Sequence, residues 1–391
     1  MKILITTECY LPVINGVVTS IVNLRKELQL LGHDVRILTL SSSSKSFHQD
    51  GVYYLSSLSV GKIYPGARIS LSTHHQFLEE IIKWQPDIVH SQCEFSTFRI
   101  AKHIAKMVSV PIVHTYHTIY EDYTHYFSPN HKWGKAMVAL FTRKILKHAT
   151  TVIAPTKKVR ALLQSYRIDQ PVSVVPTGIY LKQFTESLAA NKKQFIFDTC
   201  NIPHDHQILL FVGRLAKEKN IEEILSYFAQ LAIPKLTFLI VGDGPHRDYL
   251  QHYAEQLSIT HQVKFTGLIE PKDIASYYQV ADLFVSASNS ETQGLTYIEA
   301  LASGIPAICR QDPCLENVVT NGVNGFQYLD YTDFSNAVCS LLKDPTLYQQ
   351  FSINAAQGIV RDYSSRAFAV KIQDIYENTI ASYYLKMEYV C

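Results

Sequence analysis

"SETQGLTYIEALASGIPAI", residues 290–308, decides the fold. The run before it, "DLFVSAS" (282–288), reads as a strand expected to end near Ser288. A helix is expected from Gly294 or Leu295 to Ala302, and "PAICR" (306–310) reads as the next strand. Strand, helix and strand in that order make a βαβ unit, and hence a parallel sheet. Glu291 lies before the helix and Glu299 inside it. Gln293, Gly294, Leu295 and Thr296 would present backbone N–H groups at a positive helix end, which suits an anion. A carboxylate such as Glu299, one turn in, can accept two hydrogen bonds from a vicinal diol such as a ribose. Glu291 could contact a second polyhydroxylated group, so a phosphate between two sugars would explain the layout. The plainer reading is a helix stabilised by acidic residues near its N-terminus, worth roughly 0.3–1 kcal/mol.

The same alternation extends in both directions. Upstream in this half come "QILLFVGR" (207–214), "LTFLIVGDG" (236–244) and "VKFTG" (263–267), with helices expected from Asn220, Pro245 and Pro271. The first half offers "KILITT", "DVRILTL", "DIVHS", "PIVHTYH", "TTVIAPT" and "VSVVPTG". Amphipathic stretches at Val17–Leu31, Thr73–Trp84 and Thr97–Val108 separate several of these runs. Two doubly wound α/β domains are therefore expected. One spans 1–178 and the other 200–364, with a polar linker at 179–199. The last helical stretch, from Ser365, is expected to cross back onto the first domain, so 365–391 is grouped with it. Two such domains are expected to leave a cleft at the carboxyl ends of their sheets, where ligands bind.

Composition narrows the function classes. Hydrophobic residues make up 47% and charged residues 18%, enough for sizeable cores. The N-terminal apolar run is short and meets Glu8, which argues against a signal peptide. No apolar run reaches the roughly 18 residues of a spanning helix. The seven cysteines show no metal or redox spacing and are expected to be reduced thiols in a cytosolic protein. Residues 1–180 hold 20 Lys and Arg against 11 Asp and Glu, net +9; the remainder holds 16 against 23, net −7. A basic half suits an anionic partner, although chance and solubility can also produce such a bias. No G-x-G-x-x-G opens a helix in either half, so a nicotinamide dehydrogenase is disfavoured. A non-catalytic nucleic-acid or membrane-surface binder would have no use for the ligand-shaped second half.

Arg214 and Lys219 straddle one strand-to-helix turn and can converge on a phosphate, as a fork and a point charge; a solvated surface turn is the alternative. Gly242, in "GDG", ends the next strand where backbone could approach a ligand. A single Asp there makes no divalent-cation site, so no metal is expected.

Taken together, "GRLAKEKN", "VGDGP" and the Glu–seven residues–Glu spacing resemble the retaining nucleotide-sugar glycosyltransferases of the GT-B fold, family 4 type. "LPVINGV" (11–17) resembles that family's first-strand glycine loop, and the order of motifs is consistent along nearly the whole chain. The resemblance implies an α/β GT-B fold with two Rossmann-like domains. It implies that Arg214 and Lys219 hold the donor diphosphate, with Gly16 near a donor phosphate. By the same resemblance Glu299 binds the ribose. Glu291 contacts the transferred sugar, aided by the amides near Gln293–Leu295. His117, in "HTYHT", matches the family's histidine beside that sugar, while His114 belongs to the strand.

"ITTECYLPVINGVVTSIVNL" and "HTIYEDYTHYFSP" resemble, more narrowly, the bacterial diacylglycerol glucosyltransferases. This implies transfer of glucose from UDP-glucose to diacylglycerol at the cytosolic membrane face. The enzyme would be peripheral, with no cofactor beyond the donor substrate and no nucleic-acid partner. Tyr120, Tyr123 and Tyr126 are then candidates for a groove taking the lipid glycerol; an aromatic loop packing on its own domain is the alternative. In "KWGKAMVALFTRKILKH" (132–148), Lys132, Lys135, Arg143 and Lys147 share one helix face. Trp133, Met137, Leu140, Phe141 and Ile145 share the other. That reads either as an interfacial helix on an anionic membrane or as a core-facing helix with a solvated basic side. Donor sugar, acceptor and oligomeric state are left open. Other acceptors, such as glucosyl-diacylglycerol, a cell-wall or capsular glycan or a protein glycan, fit the same residues.

Overall fold

The computed structural model describes residues 1–388 other than 14, 61–67, 71–74, 122–130, 187 and 289. It divides into two compact units. Unit 1 joins Met1–Gly178 to Ser365–Cys391, and unit 2 is Ile179–Ser364.

In chain order unit 1 holds β1 (Lys2–Thr6), α1 (Gly16–Leu30), β2 (Asp34–Leu40), β3 (Phe47–Gln49), β4 (Val52–Leu55), β5 (Leu58–Ser59) and β6 (Arg68–Ile69). It continues with α2 (Gln76–Trp84), β7 (Ile88–Ser91), α3 (Ser96–Val108), β8 (Ile112–Thr115), α4 (His131–Leu146), β9 (Thr151–Ala154), α5 (Lys157–Ser165) and β10 (Val172–Val174). Unit 2 holds α6 (Lys182–Thr185), α7 (Ala190–Thr199), β11 (Gln207–Val212), α8 (Ile221–Leu231), β12 (Leu236–Val241), α9 (Arg247–Gln256) and β13 (Val263–Gly267). Then follow α10 (Ile274–Gln279), β14 (Leu283–Ser286), α11 (Leu295–Ala302), β15 (Ala307–Arg310), β16 (Gly325–Tyr328), α12 (Tyr331–Lys343) and α13 (Pro345–Asp362). The chain returns to unit 1 as α14 (Ser365–Glu388).

The main sheet of unit 1 runs β10-β9-β8-β7-β1-β2-β4-β3, and that of unit 2 runs β13-β12-β11-β14-β15-β16. Apart from the antiparallel β3–β4 edge, the pairings in both are parallel. Helices on both faces bury the central strands, which explains why their sequences are unbroken apolar runs; every residue of β12 is buried. In unit 1 the strand order reverses between β1 and β7, and in unit 2 between β11 and β14. In doubly wound sheets these switch points are where ligands bind.

The structure corrects the sequence reading at two places. Residues 179–199, expected as a linker, fold into unit 2. Ile179, Phe184, Ile196 and Phe197 are buried in its core, so their apolar side chains outweigh the polar residues between them. The structure also adds strands in a region where none is expected. Phe47–Leu55 forms an antiparallel hairpin, with Phe47 stacked on Tyr54. Helix α14 packs on α1. Phe368, Ala369, Ile372 and Tyr376 share an apolar cluster with Val18, Ile21, Leu24 and Leu28. Burying such side chains contributes about 1.5–3 kcal/mol each for the larger ones.

Candidate active site

In unit 2 the loops after β11, β12 and β13 are stitched together by backbone. Gly213 N–H donates to Val241 (3.0 Å), Leu215 N–H to Asp243 (3.0 Å) and Gly242 N–H to Gly267 (3.1 Å). A Cβ on Gly242 would sit 2.0 Å from the Gly213 carbonyl oxygen. The glycine is therefore demanded first by the neighbouring backbone, not by a ligand. From this platform Arg214 is exposed, and Lys219 ends a short 3-10 turn, Lys217–Lys219.

Across the switch point, the loop between β14 and α11 brings Glu291 to Lys219. Their charged ends are hydrogen-bonded, and both side chains are about four-fifths buried (21% and 17% exposed). The Ser290 hydroxyl also donates to the Glu218 carbonyl (3.4 Å). Helix α11 starts at Leu295, with Gly294 as its N-terminal cap at φ 71. A Cβ there would meet the Tyr297 ring at 2.3 Å, so both conformation and packing require glycine. Gln293 is buried at this mouth, and Leu295 and Thr296 are half-buried. Half-buried Glu299, one turn in, accepts a hydrogen bond from the Tyr278 hydroxyl (2.7 Å). Burial raises its carboxyl above the ordinary range, partly offset by that bond. Lys219 and Glu291 are thus in direct contact, and α11 carries Glu299 one turn beyond the loop that supplies Glu291.

Unit 1 has its own group at the β1/β7 switch point. Gly16 opens α1, whose first turn carries no acidic residue, and the Asn15 side chain caps it through the Val18 N–H (2.9 Å). His117 follows β8 and hydrogen-bonds Gln92 (2.6 Å). Burial and the neighbouring His114 push His117 down to about 3, so it is neutral at pH 7. His114 lies within β8, fully buried, 3.2 Å from Glu94. The Tyr120 hydroxyl points inward, donating to Glu94 (2.5 Å). Tyr123 and Tyr126 lie outside the described residues.

Glu8, two residues past β1, accepts from the Thr97 N–H (2.8 Å) and hydroxyl (3.2 Å). Burial above all, with Glu94 adding, raises it to about 7. Sequence reasoning missed Glu8, His90, Gln92 and Glu94. The available signal was polar side chains at the carboxyl ends of the two strands flanking the switch point.

Helix α4 meets the core through a narrow face. The core takes Gly134, Val138, Thr142 and Leu146. Trp133 (71% exposed), Leu140 (67% exposed), Met137 and Phe141 face outward, and Phe141 stacks on the exposed Phe95. Only Ile145 of the apolar set is half-buried. Lys132, Lys135, Arg143 and Lys147 are exposed, and Lys135 pairs with Glu121 (2.9 Å). Among the described residues no helix is long and apolar enough to cross a membrane, and no group of three His, Cys, Asp or Glu could hold a metal ion.

Residues 14–183 match Glycosyltransferase Family 4, and residues 192–358 match Glycosyl transferases group 1. The chain is 34% identical, over 98% of its length and 87% of the relative's, to the alpha-monoglucosyldiacylglycerol synthase of Streptococcus pneumoniae. It is 32% identical to the protein of that name from Acholeplasma laidlawii, over 97% and 98% of the two chains. In fold it is similar to Anabaena HepE, solved in complex with UDP-glucose, with a TM-score of 0.75, 16% identity and coverage of 97% and 100%.

Proposed function

Because this chain belongs to the family 4 glycosyltransferases of the GT-B fold, we propose that it moves glucose from UDP-glucose to the hydroxyl of diacylglycerol. The α configuration is retained, and the product is α-monoglucosyldiacylglycerol. The observation that carries the choice of acceptor is the 34% identity to a monoglucosyldiacylglycerol synthase over 98% of the chain. In this reading Arg214, Lys219 and the α11 mouth (Gln293, Gly294, Leu295 and Thr296) receive the donor diphosphate. Glu299 takes the ribose hydroxyls, and Glu291 the hydroxyls of the sugar. Gly16 lies near a donor phosphate and His117 beside the sugar. The Lys219–Glu291 pair at the switch point supports it, because a cation held by a carboxylate is already positioned where a diphosphate would compete for it.

The leaving group is a good one, so catalysis rests on stabilising the charge that develops as the C–O bond to the diphosphate breaks. Fixed donors in a partly dehydrated site supply this kind of stabilisation. The acceptor hydroxyl attacks from the face that the diphosphate leaves, and a diphosphate oxygen takes its proton. No protein nucleophile enters that route; a double displacement through a carboxylate is the competing one. The exposed apolar and basic surface of α4 supports docking on an anionic membrane at the cytosolic face, where the acceptor lies.

The test mixes the purified protein with UDP-glucose, UDP-galactose or GDP-mannose and a panel of lipid acceptors. Glucosyl-diacylglycerol formed from UDP-glucose alone is the expected product. Transfer only to glucosyl-diacylglycerol or to a glycan would replace the acceptor, and no transfer from any donor would remove the reading.

A further inference from the structure

A cavity of about 440 Å³ lies in unit 1 beside the β1/β7 switch point. Small-molecule sites begin at roughly 300 Å³. Glu8 follows β1, Leu40 ends β2 and Tyr54 stands near the end of β4. All three line the cavity, at the carboxyl ends of parallel strands. In doubly wound sheets that is the end at which ligands bind. The hairpin Phe47–Leu55 builds one wall, where Phe47 stacks on Tyr54 (4.3 Å between centroids). The Tyr54 hydroxyl donates to the Leu11 carbonyl (3.2 Å), which ties that wall to the loop after β1.

The lining is apolar and charged at once. Leu11, Val13 and Phe47 belong to it and are exposed; exposed apolar side chains around a concave opening mark an interaction site. Glu8 Oε1 is held by Thr97, while Oε2 is buried with no hydrogen-bond partner. Buried polar atoms of folded chains are normally paired, so this oxygen calls for a donor. Arg25 and Arg68 line the same cavity. Arg25 donates to the Asp50 carbonyl, and its Nε is buried without a partner. Arg68 donates to the Ser57 hydroxyl (2.6 Å) and carbonyl (2.8 Å). A guanidinium has five N–H donors, so both side chains keep donors to offer.

Two carboxyls, Glu8 and Asp50, balance the two guanidiniums of the lining. Burial raises Glu8 to about 7, which brings its uncharged form within reach at neutral pH. Such a site suits an uncharged ligand better than a phosphate or a carboxylate. The ligand needs a hydroxyl for Glu8, carbonyl oxygens for the arginines and apolar matter for the opening. Diacylglycerol has one free hydroxyl, two ester carbonyls and two hydrocarbon chains.

We propose that this cavity takes the glycerol end of the diacylglycerol acceptor: Glu8 holds the free hydroxyl, Arg25 and Arg68 the ester carbonyls, and the chains leave past Leu11, Val13 and Phe47. The choice of a glycerolipid rests on the proposed function above; the cavity and its unpartnered carboxyl oxygen do not. Tyr120, the candidate from the sequence, has its hydroxyl on Glu94 (2.5 Å). The hairpin that the sequence did not foretell thereby gains a part in acceptor choice.

The experiment uses the full chain and a diacylglycerol carrying a photoreactive diazirine near one ester carbonyl. Labelled peptides are mapped after irradiation, with dioctanoylglycerol as competitor. Label that the competitor removes is expected within 8–13 and 47–54. Two variants are assayed alongside. Val13→Trp fills the opening from an exposed position, where the fold tolerates a larger side chain. Glu8→Gln keeps an oxygen for Thr97 and puts an amide nitrogen, which cannot accept, in place of Oε2. In each variant KM for dioctanoylglycerol is expected to rise about tenfold, while affinity for UDP stays within about twofold.

Competable label confined to other segments overturns the proposal, and so does finding none. An unchanged KM for dioctanoylglycerol in either variant, or UDP affinity falling in step with it, also overturns it. A wild-type protein that glycosylates another acceptor and no diacylglycerol would instead remove the proposed function; the labelling would still decide whether this cavity binds a glycerolipid.

Discussion

Lys219 and Glu291 meet across 72 positions of sequence, and Glu299 holds the Tyr278 hydroxyl one turn into α11. If these residues form the donor site, Lys219→Ala is expected to weaken UDP binding tenfold or more. That is about 1.4 kcal/mol, at the low end for a hydrogen bond to a charged group. Glu299→Ala is expected to weaken it similarly and also to leave the buried Tyr278 hydroxyl without its partner, costing about 1–3 kcal/mol of stability. Glu299→Gln keeps an acceptor for Tyr278 and is expected to spare stability. Titration calorimetry reads the first effect and urea denaturation the second; UDP affinity unchanged in both alanine variants would refute the assignment.

Glu8 makes a prediction about pH. Its folded value of about 7 lies above the ordinary 4.5. Between those values the folded chain holds a proton that the unfolded chain has lost, so stability falls as pH rises through that window. The shift corresponds to on the order of 2 kcal/mol after allowance for solvent screening. His117 acts in the opposite sense, losing stability as pH falls from about 6.5 towards 3. Glu8→Gln, which cannot ionise, is therefore expected to be the more stable protein at pH 8 relative to pH 5. Parallel urea curves for the two proteins at those pH values check it, and an equal pH slope would place Glu8 in a wetter environment.

At the scale of elements, α4 departs from the usual amphipathic arrangement. Small and aliphatic residues at spacing four (Gly134, Val138, Thr142 and Leu146) face the core, and the larger apolar side chains face out. An exposed patch of this kind marks an interaction surface. If its partner is an anionic bilayer, co-sedimentation with vesicles should rise with anionic lipid and fall with salt. Removing Lys132, Lys135, Arg143 and Lys147 together is expected to weaken binding by at most several kcal/mol, at about 1 per cation. Lys135 should count least, because Glu121 already holds it. Trp133→Ser with Leu140→Ser should weaken binding in a salt-independent way, because that part is apolar. Pelleting of both variants equal to wild type would mean that the face is merely solvated. Turnover of a soluble short-chain acceptor is expected to survive both changes, because the residues proposed to hold the donor diphosphate and ribose belong to unit 2.

For the whole molecule, the course of the chain predicts unequal sensitivity. Unit 2 is continuous from 179 to 364, whereas unit 1 is completed only by 365–391. Deleting 365–391 exposes the α1 face that covers Phe368, Ile372 and Tyr376. It is expected to lower the calorimetric transition of unit 1 while leaving that of unit 2 in place. A uniform shift of all transitions would show that the units unfold as one. Activity of the intact protein is expected to persist in excess EDTA if, as proposed, Arg214, Lys219 and the start of α11 supply the positive charge for the diphosphate. Loss in EDTA restored by Mg²⁺ or Mn²⁺ would overturn that.

The sequence by itself determined the two α/β repeats and the position of α11 from Leu295 to Ala302. Unbroken apolar runs and the change from strand to helical period are local signals, written within a few residues of each other. It also marked Arg214 and Lys219 at a strand-to-helix turn, Glu291 in the loop before α11 and Glu299 inside that helix. The tertiary structure alone decided that Lys219 touches Glu291, that 179–199 is core rather than linker, and that α4 turns its large apolar side chains outward. It alone joined His117 to Gln92. The physical reason is the same in each case. A single buried hydrogen bond, or a choice of which face of a helix meets the core, depends on which distant strand ends and helices are brought side by side. Residues so brought together leave no periodic trace along the chain.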